Sequence, residues 1–197
     1  MVAQTKFDIC NRALDLVGAS GIDDFESNSA ESESAARHYE ALVEERLTGT
    51  MPDGGAIEWR FCMELADLGS PAADPPADKW SYAYTLPADL LAIRAVRLND
   101  APLSFDRYGT KLMCDAAENV VIEYTFRQVE ESWAPYFRTA IVSELASVFA
   151  LSLGRDLELS QYYRREANGL WAAARFADSK GRTAERVKAS RIVAARR

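Results

Sequence analysis

The residues of this chain that could do chemistry are few and far apart. His38 is the sole imidazole, and Cys10, Cys62 and Cys114 are the three thiols. A Cys–His dyad would need the imidazole to draw the proton from a thiol, but His38 falls on the surface-leaning side of a polar helix start. One histidine cannot build a multi-histidine metal site, and no CxxC pair joins it. The three widely spaced cysteines read as reduced, buried thiols. No GxxxxGK[ST] phosphate loop occurs, and GASG at 18–21 reads as a helix stop and turn. No GxSxG elbow is present. Acids are plentiful, but neighbours such as Asp23–Asp24 and Glu44–Glu45 read as solvated faces. A glycosidase-like carboxylate pair would have to be assembled by the fold. The expectation is a protein that is not an enzyme and takes no metal or cofactor.

Charge is the clearest asymmetry. Seven basic residues (Lys180, Arg182, Arg186, Lys188, Arg191, Arg196 and Arg197) stand in the last eighteen positions against one acid, Glu185. That tail carries +6, so the rest of a chain of net −7 carries −13. A basic tail can neutralise phosphates, yet no helix-turn-helix or zinc-finger spacing accompanies it. An acidic groove on a protein partner is the better match. The composition, 48% apolar and 27% charged, is that of an ordinary folded chain. No apolar run approaches membrane-spanning length. MVAQTKFDIC lacks the basic stretch and apolar run of a signal peptide, so synthesis and assembly in a cytoplasm are expected.

The elements that must position these residues begin with helices. Thr5 can cap a first helix, with Asp8 three residues on, and Phe7, Cys10, Ala13, Leu14 and Val17 share a face. ESNSAESES, from Glu26 to Ser34, supplies caps and acidic charge for a second helix running to about Leu47. Ile57, Phe61, Leu65 and Leu68 suggest a short third helix. GSPAADPPAD at 69–78 ends helical structure with three prolines. VVIEYTFR at 120–127 alternates as a strand, 90–98 reads as another, and NDAP and DRYGT are turn chemistry. Helix returns near Ser132, with Trp133, Phe137, Ala140, Ile141, Leu145 and Val148 forming a stripe. Asp156 can cap a last helix carrying Tyr163, Ala167, Leu170, Trp171 and Ala174. The expected fold is mainly α. A helical bundle forms from 1–79 and 129–179, with an inserted antiparallel β unit of about four strands at 80–128 and an extended basic tail at 180–197.

The order of these signals resembles the head-to-tail adaptor proteins of tailed bacteriophages, of the tail tubular protein A type. The resemblance rests on an opening helix of the form FDICNRALDLVGASGI and on Trp59-Arg60-Phe61. It continues through the aromatic lead Trp80, Tyr82 and Tyr84 into a Leu86-Pro87-x-Asp89 turn, a strand ending in Tyr124 to Arg127, and a Trp133-x-Pro135-x-Phe137 helix start. It covers about residues 5–178. The chain departs from the pattern in having Leu90 where the family's turn often has cysteine, and in a longer loop at Met51–Glu58.

The resemblance implies a virion protein of the neck. A closed ring of about twelve subunits would dock on the portal protein, meet a tail or nozzle protein below, and let DNA pass without sequence-specific binding. On that reading the tail cations from Lys180 to Arg197 contact the portal. Trp59, Trp80, Tyr82, Tyr84, Pro87, Asp89, Trp133 and Phe137 serve as structural or subunit-contact residues. Part of the acidic body would line the channel, where like charge keeps DNA from sticking. The aromatics before Pro87 are expected to fasten the β unit onto the bundle. The alternative is a DNA-binding or packaging accessory protein acting through the tail.

Overall fold

The computed structural model describes residues 4–73 and 79–181. Helix α1 spans Lys6–Leu16. The Thr5 side chain accepts from the Asp8 backbone N–H while the Asp8 carboxylate accepts from Thr5, a reciprocal cap that satisfies two otherwise orphaned donors. Helix α2 spans Ala30–Leu47 and starts on the Ser29 side chain, with Glu31 and Glu33 in its first turn and Arg46 in its last. Both charge placements oppose the helix dipole favourably.

Helix α3, Pro135–Ser152, begins with proline at a position where no N–H is needed. It is buried on most of its circumference, from Phe137 through Ala150. A helix apolar all round belongs in the middle of a core. Helix α4, Leu157–Ser179, starts on Asp156 and packs along α3. Small hydroxyl side chains permit that close approach, and their polarity is satisfied: Ser160 donates to the Ser147 carbonyl at 2.7 Å and Ser143 to the Tyr163 carbonyl at 3.3 Å.

The molecule is an α/β mixture, which corrects the expectation of a mainly helical bundle. Among the described residues seven strands form two antiparallel sheets: β1 (Met63–Asp67), β2 (Tyr82–Thr85), β3 (Leu90–Leu98), β4 (Ala101–Pro102), β5 (Asp106–Tyr108), β6 (Lys111–Cys114) and β7 (Val120–Phe126). One sheet has the order β1-β7-β3-β4, the other β2-β6-β5. The third helix does not form. One 3-10 turn at Arg60–Cys62 leads straight into β1, whose residues pair with β7 from Met63↔Thr125 to Asp67↔Val121. Leu65, assigned an inward place by helical spacing, is 65% exposed. A strand's pairing with a distant partner overrides a weak local period. The sheet thus draws an edge strand from outside 80–128.

Between β3 and β4, Asn99 and Asp100 both take positive φ, 47° and 66°. Two left-handed residues make the two-residue turn whose twist suits a hairpin. The inner faces of the two sheets meet in their own core, including Tyr84, Leu112, Val120, Ile122 and Tyr124. The helices enclose a second core around α3. Arg94 ties the two: its Nε donates to Thr125 Oγ1 and its Nη2 to the Thr48 carbonyl at the end of α2, each at 2.8 Å.

Candidate functional site

Three of the residues singled out from sequence converge in the helical core. Phe137, in the first turn of α3, meets Trp59 edge-on at 5.2 Å, Trp133 at 5.1 Å and Trp171 at 5.3 Å between ring centroids. Phe61 and Tyr136 close the cluster. Edge-to-face contacts match the positive ring edge to the negative face. Both indole N–H groups that enter deepest find acceptors: Trp59 Nε1 donates to the Arg46 carbonyl at 2.7 Å, and Trp171 Nε1 to Glu144 at 2.8 Å. Trp133 Nε1 donates to the Gln128 carbonyl, and the Arg127 guanidinium lies 5.7 Å from its ring centroid. Trp59, Trp133, Phe137 and Trp171 are buried core residues, while Phe61 and Tyr136 are half-buried at its edge.

The stretch from Trp80 to Asp89 does not join them. Tyr84 is fully buried inside the sheet core, with its hydroxyl donating to the Ala116 carbonyl at 2.8 Å. Tyr82 packs on the same core. Trp80 Nε1 donates to Asp106 at 2.8 Å, and Lys79 lies over the indole. Tyr82 and Tyr84 therefore belong to the core between the two sheets, with Trp80 outside it, and the sheets are fastened to the helices by Arg94, Gln128 and Leu91. In the turn at Pro87 the hydrogen bond is backbone, Leu90 N–H to the Pro87 carbonyl, and the Asp89 carbonyl accepts from Arg127 N–H at 3.0 Å.

The thiols are not poised for catalysis. Burial pushes Cys10 and Cys62 up to about 12 and also raises Cys114. A thiol so protonated is a poor nucleophile near neutral pH. Cys62 donates to the Trp59 carbonyl instead. Among the described residues no group of three or more His, Cys, Asp or Glu side chains is placed to hold a metal ion. No helix among them is long and apolar enough to cross a membrane.

What the sequence did not single out is a cleft of about 390 Å³ at the end of α4. Arg60, Arg94 and Arg175 line it together with Glu58, Asp178 and Ser179. Arg175 is paired with Asp53 at 2.7 Å. The Asp178 carboxylate is already used, accepting from Tyr136 Oη at 2.6 Å and from the Arg60 backbone N–H. Arg94 is half-buried and donates to the Thr125 hydroxyl and the Thr48 carbonyl, and among the described residues neither it nor Arg60 has a carboxylate within ion-pair distance. Lys180 follows directly and lies over the Phe176 ring. Of the cations assigned to the tail, Lys180 falls among the described residues; Arg182, Arg186, Lys188, Arg191, Arg196 and Arg197 lie outside them. The cleft escaped the sequence because its arginines come from a 3-10 turn, a strand and a helix.

No protein-family model matches the chain. No curated protein matches it either.

Proposed function

We propose that this chain is a non-catalytic structural subunit of the head–tail junction of a tailed bacteriophage, assembled in the host cytoplasm. A closed ring of about twelve copies would dock on the portal protein, meet a tail or nozzle protein below, and leave a channel through which DNA passes. The observation that carries this reading is the ordered motif set from Trp59-Arg60-Phe61, through Trp80 to Asp89 and Tyr124 to Arg127, to Trp133-x-Pro135-x-Phe137. The convergence of Trp59, Trp133 and Phe137 on one cluster gives three of those residues a common structural reason. The buried, protonated thiols lend no support to a nucleophilic enzyme.

The basic residues from Lys180 to Arg197 are the proposed portal contact, through charge-assisted hydrogen bonds to acidic side chains. Negative-stain electron microscopy of the purified protein, alone and mixed with its cognate portal, tests the reading. Rings, or an added layer on the portal, are the expected result. Monomers that leave the portal bare would overturn it. Loss of the layer on deleting 180–197 would assign the contact to the tail, and its retention would exclude that assignment.

The second reading, a DNA-binding or packaging accessory protein, is favoured by one further observation: residues 180–197 carry seven basic side chains against one acid. Binding to duplex DNA that weakens steeply with salt, together with a bare portal, would establish it instead.

A further inference from the structure

Helix α4 carries two faces. Its buried side chains, among them Ala167, Trp171 and Ala174, lie along one side and pack on the body. At about 100° per residue, Glu158, Tyr162, Gly169 and Phe176, with Lys180 at the C-cap, fall within about 20° of a line along the opposite side. All five are exposed, Tyr162 by 53% and Phe176 by 65%. Among the described residues Glu158 makes no ion pair, and Lys180 lies along the same line, over the Phe176 ring.

The centre of that line is a glycine. Glycine inside a helix is destabilising relative to alanine, and no described neighbour requires it here: a Cβ at position 169 would meet nothing within 4 Å. What its missing side chain permits is the close approach of a second backbone from outside. The residues on either side of it are matched. Glu158 and Lys180 each lie eleven positions from Gly169, and Tyr162 and Phe176 each lie seven. Run antiparallel about Gly169, two copies of the line set acid against base and aromatic against aromatic at both ends. A parallel pair would set Glu158 against Glu158 and Lys180 against Lys180, and would align the two helix dipoles.

We propose that this face of α4 packs against the same face of a second copy of this chain, antiparallel about a two-fold axis at Gly169. The backbones cross where neither chain has a side chain. Tyr162 of one copy packs beside Phe176 of the other, and Glu158 of one meets Lys180 of the other. The contact is isologous, so it closes on a pair and cannot continue round a ring. It therefore goes beyond the ring reading and describes the chain before docking; a layer on the portal tests that reading separately. One helix face about 33 Å long makes a small interface, so the pair is weak and forms at high concentration.

Sedimentation velocity on the full chain, over a rising series of concentrations, is the test, and the wild type is expected to reach a dimer. Gly169→Gln puts a side chain into the crossing while favouring helix, and the space around the position admits it in the single chain. It should weaken association roughly tenfold with an unchanged or higher melting temperature, so the loss is not one of folding. Glu158→Lys and Lys180→Glu should each weaken association, because like charges then meet at both ends. An equimolar mixture of those two variants should regain it as a mixed pair, in which opposite charges meet at both ends again. Unchanged circular dichroism shows that both are folded. A wild type that stays monomeric up to about 1 mM overturns the proposal. So does association that Gly169→Gln leaves unchanged, a mixture that stays apart, or an assembly that passes beyond two copies without a dimer. A chain that is monomeric alone, binds the portal and loses that binding with Gly169→Gln would make the portal the occupant of this face and also overturn it.

Discussion

Arg46 and Glu144 stand 98 positions apart in sequence and meet in a two-pronged ion pair, Nε to Oε2 at 2.9 Å and Nη2 to Oε1. Only 7% and 13% of their side-chain surfaces are exposed. The pair joins α2 to α3, and each partner is engaged further: Arg46 donates to the Thr50 carbonyl, while Glu144 accepts from Trp171. Burial would depress the arginine, but its bonds to Glu144 and Glu45 outweigh that and raise its pKa.

Replacing Glu144 with alanine leaves Arg46 without its principal counter-ion. The expected loss is about 3–5 kcal/mol of unfolding free energy, the usual cost of breaking a buried pair from one side. Urea denaturation of Glu144→Ala measures it. The double change Arg46→Met with Glu144→Leu should recover much of that loss, because it removes both charges together.

Phe137→Ala should cost about 3–5 kcal/mol, since it empties the centre of the aromatic cluster. Trp80→Ala should cost far less, because Trp80 lies outside both cores. Thermal melts of the two variants give the order, and a larger shift for Trp80→Ala would contradict the assignment.

Gly49 has φ of +88°, and a Cβ there would lie 1.8 Å from the Ile57 carbonyl oxygen. That oxygen belongs to backbone and cannot swing aside. Gly49→Ala should therefore destabilise by more than the roughly 1 kcal/mol of an ordinary incompatible glycine replacement. Equilibrium unfolding against wild type checks this.

Acid should weaken the contact between α2 and the start of α3. Burial alone would raise Glu130, but hydrogen bonds from Arg127 and Tyr39 outweigh it and hold the carboxyl below its ordinary value of 4.5. The unfolded chain therefore takes the proton first. The contribution is fully present above about pH 4.5 and is lost as pH falls through the lowered folded value. Stability curves for Glu130→Gln should fall less steeply than wild type below that pH.

The three thiols should resist an aromatic disulfide reagent in the native protein at pH 8 and react together once urea unfolds it. A single fast thiol in the native state would contradict the burial described for it.

Local chemistry was legible in the sequence wherever the interaction itself was local. The caps at Thr5 and Asp156 form as their spacing predicts, because donor and acceptor lie within one turn. The alternation of Val120–Phe126 marks a strand with one face on the core. Residues 57–68 misled because Ile57, Phe61, Leu65 and Leu68 mimic a helical stripe, while the partner that makes Met63–Asp67 a strand lies some sixty positions later. The arginine cleft was hidden for the same reason: Arg60, Arg94 and Arg175 share a surface only after two sheets and four helices have packed. The tail's charge was plain from sequence, but the bracing of Thr48 and Thr125 by Arg94 was not.

The pairing of Met63–Asp67 with Val120–Phe126 also bears on how the chain is made. Translation delivers β1 long before β7, so the growing polypeptide carries an unmatched strand until the later one emerges. The same link limits modular exchange. Residues 80–128 cannot be lifted out as a self-contained cassette, because the transplant would leave its edge strand behind in the donor.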